Sequence, residues 1–367
     1  MTQKDIQQLL LSSLQPLENE RQELLQTYKK HQFFTCILAV VLLGVVPSLA
    51  YFFRHKKIAN MELQSILTLP APFYFLLVGI ALYSLFKATK RSLESIEKKF
   101  IPKVKEQAYK KVFETWDKNL QYQPSSYLAP DVVKNSNLIE VGDNYGGDDY
   151  CIGALEDGRI YEFSELYLRE KIVVKETYTT TDSTGNEVER DYQEINYRDA
   201  FKGLFFHWKH TEVNAELQQP LSILPKEPSS STPPKSFNSK QEEKPPYYDT
   251  ILDAEFVAIP ESKEDTTSLF DQFYQVHCSQ PHAQELLTEP FCQFLISLKT
   301  QWNMNISVRI KEDEIYLAAP FIFDFWRVKM DKSLLHEYRM DYLVWNFQFT
   351  FVILEGMAAA TRSNYQA

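Results

Sequence analysis

Three groups of residues have side chains and spacings that could do chemistry. His207 and His210 stand three apart. On a helix they would share one face and could begin a metal site, whereas in a strand they point to opposite faces. The aromatic-rich run Phe201–Lys209 reads as a strand, so the pair cannot share a metal. His277, Cys278 and His282 bring a thiol close to two imidazoles in sequence. Nucleophilic catalysis also needs an orienting carboxylate and oxyanion donors, and none stands nearby, so Cys278 at a strand end reads as structural. Asp143, Asp148 and Asp149 could hold a hard cation through their carboxylates. They lack EF-hand spacing, and with Gly142, Gly146 and Gly147 among them they read as a solvated turn. The aromatics of Phe201–Trp208 read as core. No residue is therefore assigned a catalytic, cofactor-binding or metal role, and no cofactor is expected.

The elements around these groups are organised by charge and hydropathy. Residues 1–122 carry 17 Lys/Arg against 10 Asp/Glu, whereas the remainder carries 22 against 39. The acidic part excludes nucleic-acid binding, which needs clustered cations to neutralise phosphates. The basic part surrounds two runs without Lys, Arg, Asp, Glu or His: Gln32–Phe53, of 22 residues, and Leu63–Phe86, of 24. At about 1.5 Å per residue each can cross a hydrocarbon core of about 30 Å. The first run follows 31 mostly polar residues, which does not fit a signal peptide. The expected organisation is a cytoplasmic amphipathic helix over 1–31, transmembrane helices over 32–53 and 63–86, and an extracytoplasmic connector over 54–62. A helical stalk follows over 87–122.

Orientation follows from the distribution of Lys and Arg. The connector holds Arg54, Lys56 and Lys57, against ten basic residues flanking the other ends of the two runs. Both termini are therefore expected in the cytoplasm. Lys87, Lys90, Arg91, Lys98 and Lys99 are the candidate contacts to lipid head groups, and the bilayer itself is the expected partner. Leu93, Ile96, Phe100, Val104, Ala108, Val112 and Trp116 recur at helical spacing, with Pro102 expected to kink or restart the helix. Leu10, Leu14, Leu17, Leu24 and Tyr28 form a matching stripe, and the two stripes predict a short antiparallel coiled coil or shared bundle.

The remainder reads as a mixed α+β domain: a β-rich part over 123–224, a Pro/Ser-rich disordered linker or loop over 225–248, and an α+β part over 249–367. Strands are predicted at Tyr150–Leu155, Arg159–Phe163 and Glu165–Lys175, with a hairpin turn at Asp157-Gly158 and a second hairpin tip at Thr184-Gly185-Asn186. Phe270–Val276 reads as a strand and Ala283–Leu287 as a helix broken by Pro290. Phe291–Trp302 reads as a helix with Phe291, Phe294, Leu295 and Leu298 inward. Ser307–Ile310 and Glu314–Ala318 form a hairpin, and Leu334–Leu354 fits both strand and helix periods and is taken as a buried helix. The four cysteines show no framework spacing and are expected reduced.

Four strings in order carry a resemblance: Gly153-Ala-Leu-Glu-Asp-Gly-Arg-Ile-Tyr-Glu-Phe-Ser-Glu165, Phe201-Lys-Gly-Leu-Phe-Phe206, Phe273-Tyr-Gln-Val276 followed by Ala283, Leu287-Thr288 and Pro290, and Ile315-Tyr-Leu-Ala-Ala-Pro-Phe321. With the preceding apolar runs they resemble the bacterial DUF3137 family over about residues 30–356. The chain departs from that pattern in its Pro/Ser-rich segment and at His207-Trp208-Lys209. The resemblance implies an integral protein of the bacterial inner membrane with no established activity, and a LemA-type membrane protein as a partner. The expected function is a membrane-anchored interaction or scaffold module at the cytoplasmic face. The alternative is a membrane-tethered enzyme or ligand sensor whose site is assembled from residues distant in sequence.

Overall fold

The computed structural model describes residues 1–55, 71–155, 158–181, 187–209, 220–226, 266–278, 287–321 and 324–362. They divide into two compact units.

One unit comprises Gln8–Tyr109 and Val328–Met340. Helix α1 runs unbroken from Gln3 to His55, so the expected amphipathic segment and the first apolar run are one helix. Helix α2 spans Ala71–Val104 with Pro102 inside it, and a π-helical turn follows at Lys105–Tyr109. A proline removes an amide donor and crowds the preceding turn, which accounts for the disturbed ladder at the point where the sequence predicts a kink. The helices run antiparallel: Glu20 of α1 pairs with Lys103 of α2 at 2.5 Å, and Tyr28–Ala39 faces Leu82–Leu93 across a groove. Leu10, Leu14, Leu17, Phe100, Val104 and Ala108 of the two predicted stripes are buried. Most of the connector and the start of the second run lie outside the described residues.

The other unit is α+β, as expected, and comprises Met1–Gln7, Lys110–Arg327 and Asp341–Ala367. Its antiparallel sheet runs β1-β2-β3-β4-β8-β7-β5-β6. The strands are β1 Gln121–Gln123, β2 Asn144–Ala154, β3 Ile160–Thr181 and β4 Glu187–Lys209, followed by β5 Leu221–Pro225, β6 Tyr274–His277, β7 Ser307–Lys311 and β8 Glu314–Pro320. Helices α3 Lys110–Trp116, α4 Pro130–Ser136, α5 Thr266–Phe273 and α6 Glu289–Trp302 complete it, with α7 Glu337–Arg362 from Asp341 onward. Phe113 of α3 meets Tyr122, Phe163, Trp326, Phe347 and Phe351 at ring separations of 5.0 to 6.1 Å and joins two helices to the sheet. On the opposite face Leu128 and Val133 pack on Leu166, Leu168, Phe205 and Tyr316.

Several predicted elements differ. Arg159–Phe163 and Glu165–Lys175 belong to one strand, and Phe201–Lys209 is the end of β4, because β3 and β4 pair continuously apart from one bulge at Leu168/Arg169. Asp157, Thr184-Gly185-Asn186 and most of the Pro/Ser-rich segment lie outside the described residues. Pro225 itself ends β5, opposite Tyr274. Phe270 lies on helix α5, where it stacks on Tyr274 one turn later. Pro290 lies in the first turn of α6, which needs no amide donor, and residues 283–286 of the helix predicted before it lie outside the described residues. Helix α7 resolves the ambiguity at Leu334–Leu354 in favour of a buried helix. By length and composition Glu337–Ala360 could cross a membrane, but 67% of its apolar window is buried inside the protein.

Candidate functional site

Among the described residues the flagged histidines are not brought together, whereas Asp148 and Asp149 are. One row of register partners crosses all eight strands: Gln121, Ile152, Glu162, His207, Tyr316, Arg309, Ser222 and His277. His207 and His277 share this row but lie four strands apart, about 19 Å at sheet spacing. His210 and His282 lie outside the described residues. His207 is buried, stacks on Tyr316, and holds Glu162 Oε1 at 2.8 Å through Nδ1, with Glu314 Oε1 at 3.6 Å from Nε2. Burial alone would raise the Glu162 pKa, but hydrogen bonds from His207 and Tyr150 outweigh it and hold the carboxyl below its ordinary range. The group reads as a cross-strand polar tie rather than a metal site.

The acidic stretch is where the structure most changes the reading. The sequence suggests a solvated turn, whereas Asp148 and Asp149 lie within β2, at the bulge between Asp148 and Cys151. Gly147 permits this, since a Cβ there would stand 2.3 Å from the Glu165 carbonyl oxygen on β3. The three aspartates then take separate roles. Asp143 accepts the Lys171 amide at 2.8 Å, Asp149 is buried and takes the Tyr122 hydroxyl, and Asp148 lines a cleft.

That cleft, of ≈ 370 Å³, opens where β2, β3 and β4 meet the segment around Asp324. Its walls carry Asp148, Tyr167, Arg169, Asp199, Lys202 and Asp324. Lys202 pairs with Asp324 at 2.5 Å and sits 5.5 Å from the centre of the Tyr167 ring, while Arg169 pairs with Asp199 at 3.1 Å. Behind the cleft lies Glu165, only 1% exposed. Its carboxylate accepts the amides of Phe325 at 2.6 Å and Trp326 at 3.3 Å, together with the Tyr167 hydroxyl. Burial, then the charge of Asp148, push its pKa up to about 7, against those hydrogen bonds. Oxygens of Asp148, Asp149 and Glu165 lie within 4.8 Å of one another. Two of the three are committed to Tyr122 and to backbone amides, so the arrangement is better suited to holding a proton near neutral pH than to wrapping a cation.

The sequence singles out Asp148 but not Glu165, Tyr167, Lys202 or Asp324. Glu165 and Tyr167 lie on β3, Lys202 on β4 and Asp324 on a distant segment, and no local pattern joins them.

Lys87, Lys90, Arg91, Lys98 and Lys99 are all exposed on α2. Beyond them Lys103 pairs with Glu20 and Lys105 is buried, so the basic face ends at Lys99. Comparison with protein-family models, curated proteins and solved structures yields no match.

Proposed function

We propose that this chain is a membrane-anchored interaction module, held by a two-helix hairpin with its α+β domain at the cytoplasmic face of a bacterial inner membrane. One observation carries the anchor: α1 and α2 leave Phe33, Phe34, Val40 and Phe86 between 65% and 70% exposed. So much contiguous apolar surface needs an apolar surrounding. The module reading is supported by the outer part of the β3–β4 hairpin. Beyond Arg169 and Phe201 it has no further strand neighbour among the described residues, and it exposes Val173, Tyr178, Tyr192, Ile195 and Tyr197. A two-stranded ribbon with exposed aromatics is suited to engaging another protein. The DUF3137 resemblance and a LemA-type partner belong to this proposal. It is supported by three of the four strings falling on the adjacent strands β3, β4 and β8.

The test is cysteine labelling in whole cells. Ala59→Cys should react with a membrane-impermeant thiol reagent, and Tyr178→Cys only after the cells are opened. The reverse pattern overturns the orientation. A chain found in the soluble fraction overturns the anchor.

A second reading, a membrane-tethered enzyme or ligand sensor, is favoured by the convergence of Asp148, Tyr167, Lys202 and Asp324 in front of a buried carboxyl. Its test is a thermal-shift screen of charged small molecules against wild type and Lys202→Met. A shift present in one and absent in the other supports this reading.

A further inference from the structure

We propose that the groove between α1 and α2 binds one anionic phospholipid, an inference that rests on the membrane-anchored reading. Tyr28, Gln32 and Cys36 of α1 face Phe86, Lys90 and Leu93 of α2 around a cavity of ≈ 310 Å³. Its chemistry changes along its length. At one end the walls are Ala39, Leu82 and Leu85; toward the other come Gln32, Thr89 and Lys90, with Tyr28 and Leu93 beyond them. An amphiphile with an apolar chain and a polar head matches that gradient in one orientation only.

The charge around the polar end selects the head group. Lys29, Lys30, Lys87, Lys90 and Arg91 are exposed at this level, and neither Leu24–Leu43 nor Leu76–Leu93 contains an Asp or Glu. Lys87 leans over the Tyr83 ring, 5.8 Å from its centre. The five cations outnumber the nearest carboxylates, Glu23 and Glu94, which stand one residue beyond Leu24 and Leu93, and this excess favours a negatively charged head group. The apolar end is flanked by the exposed Leu38, Val40, Val41 and Ile80, so its surroundings are those of acyl chains. The groove straddles the limits of the two apolar runs at Gln32 and Phe86, the depth at which head groups meet chains. Lys98 and Lys99 stand at least five residues beyond Leu93, about 7.5 Å along the axis, and take no part.

The full chain would be extracted from membranes in a mild non-ionic detergent, and its bound phospholipid identified and quantified by mass spectrometry. About one anionic phospholipid per chain is expected. Lys90→Gln should weaken retention by about fivefold, the effect of one basic residue at a membrane surface. Cys36→Trp should displace the lipid by filling the groove while leaving every charge in place. Changing Lys98 and Lys99 together to Gln should leave retention unchanged. Alkaline carbonate treatment of the membranes separates the two readings. Release of the chain overturns the anchor and with it the groove. A chain that stays in the membrane but carries no anionic lipid, or carries equal amounts in wild type, Lys90→Gln and Cys36→Trp, overturns the groove alone.

Discussion

Replacing Glu165 with Gln tests the reading of the cleft. The folded-state pKa of Glu165 is about 7 against an ordinary value of 4.5, with burial the first cause and the Asp148 charge the second. A carboxyl with a raised folded pKa binds a proton on folding. Its stabilisation is fully present below pH 4.5 and is lost as the pH rises through 7. The difference corresponds to about 3 kcal/mol across that window. Gln keeps a carbonyl oxygen for the amides of Phe325 and Trp326, and its amide group can donate to Asp148. It does not titrate. The stability of Glu165→Gln relative to wild type should therefore rise by about 2 to 3 kcal/mol between pH 5 and pH 8.5, whatever the offset at pH 5. Tryptophan fluorescence during urea unfolding of the full chain in detergent is a suitable assay, because all five tryptophans lie in the α+β unit. Other titrating groups cancel in the comparison. Curves that stay parallel within about 0.5 kcal/mol, near the extrapolation error, would refute the argument that a buried proton sits behind the cleft.

Asp148→Asn should lower the pH at which Glu165 titrates, seen as an earlier midpoint in the same comparison; an unchanged midpoint would leave burial as the whole cause. Arg21→Met should cost about 3 to 5 kcal/mol in the helical unit, since it leaves the Glu18 carboxylate buried without its cation. Faster hydrogen exchange at the Leu334 amide, which donates to Glu18 at 2.8 Å, is the readout. Phe113→Ala should destabilise the α+β unit by about 3 to 5 kcal/mol in urea unfolding, because its ring is fully buried against five others.

What the sequence makes legible is periodic, and what it hides is tertiary. The inward residues Phe291, Phe294, Leu295 and Leu298 of α6 follow from helical spacing alone, and all four are buried. The β7–β8 hairpin follows from alternation around Lys311–Asp313. Asp148 and Asp149 mislead because glycine and aspartate mark turns on average. Here Gly147 serves a close strand approach, and Tyr122, from a different strand, accepts the role of solvent for Asp149. Glu165 looks like any charged residue on an alternating strand. Only the fold brings the amides of Phe325 and Trp326 to it across about 160 residues of sequence. No window of local pattern can contain that pairing.

Two buried glutamates show how a structural carboxylate differs from a candidate site. For both Glu18 and Glu165 burial is the largest single influence, and it raises the pKa. The outcomes are opposite. Glu18 is held at about 2, because Arg21, the Leu334 amide and Gln22 all donate to it. Glu165 rises to about 7, because burial is reinforced by the charge of Asp148 instead of being offset by a cation. An ion pair such as Glu18–Arg21 fixes α1 to the Met330–Leu334 segment through Arg21 Nη1 to the Met330 carbonyl at 2.6 Å, and all of its partners are satisfied. Its stabilisation is present above about pH 4.5 and lost as the pH falls toward 2. Glu165 behaves in the reverse sense and weakens its unit as the pH rises toward 7 and beyond. A carboxyl that costs stability at neutral pH, beside an open cleft carrying Lys202 and Tyr167, is more readily explained by what the cleft does than by what the fold needs.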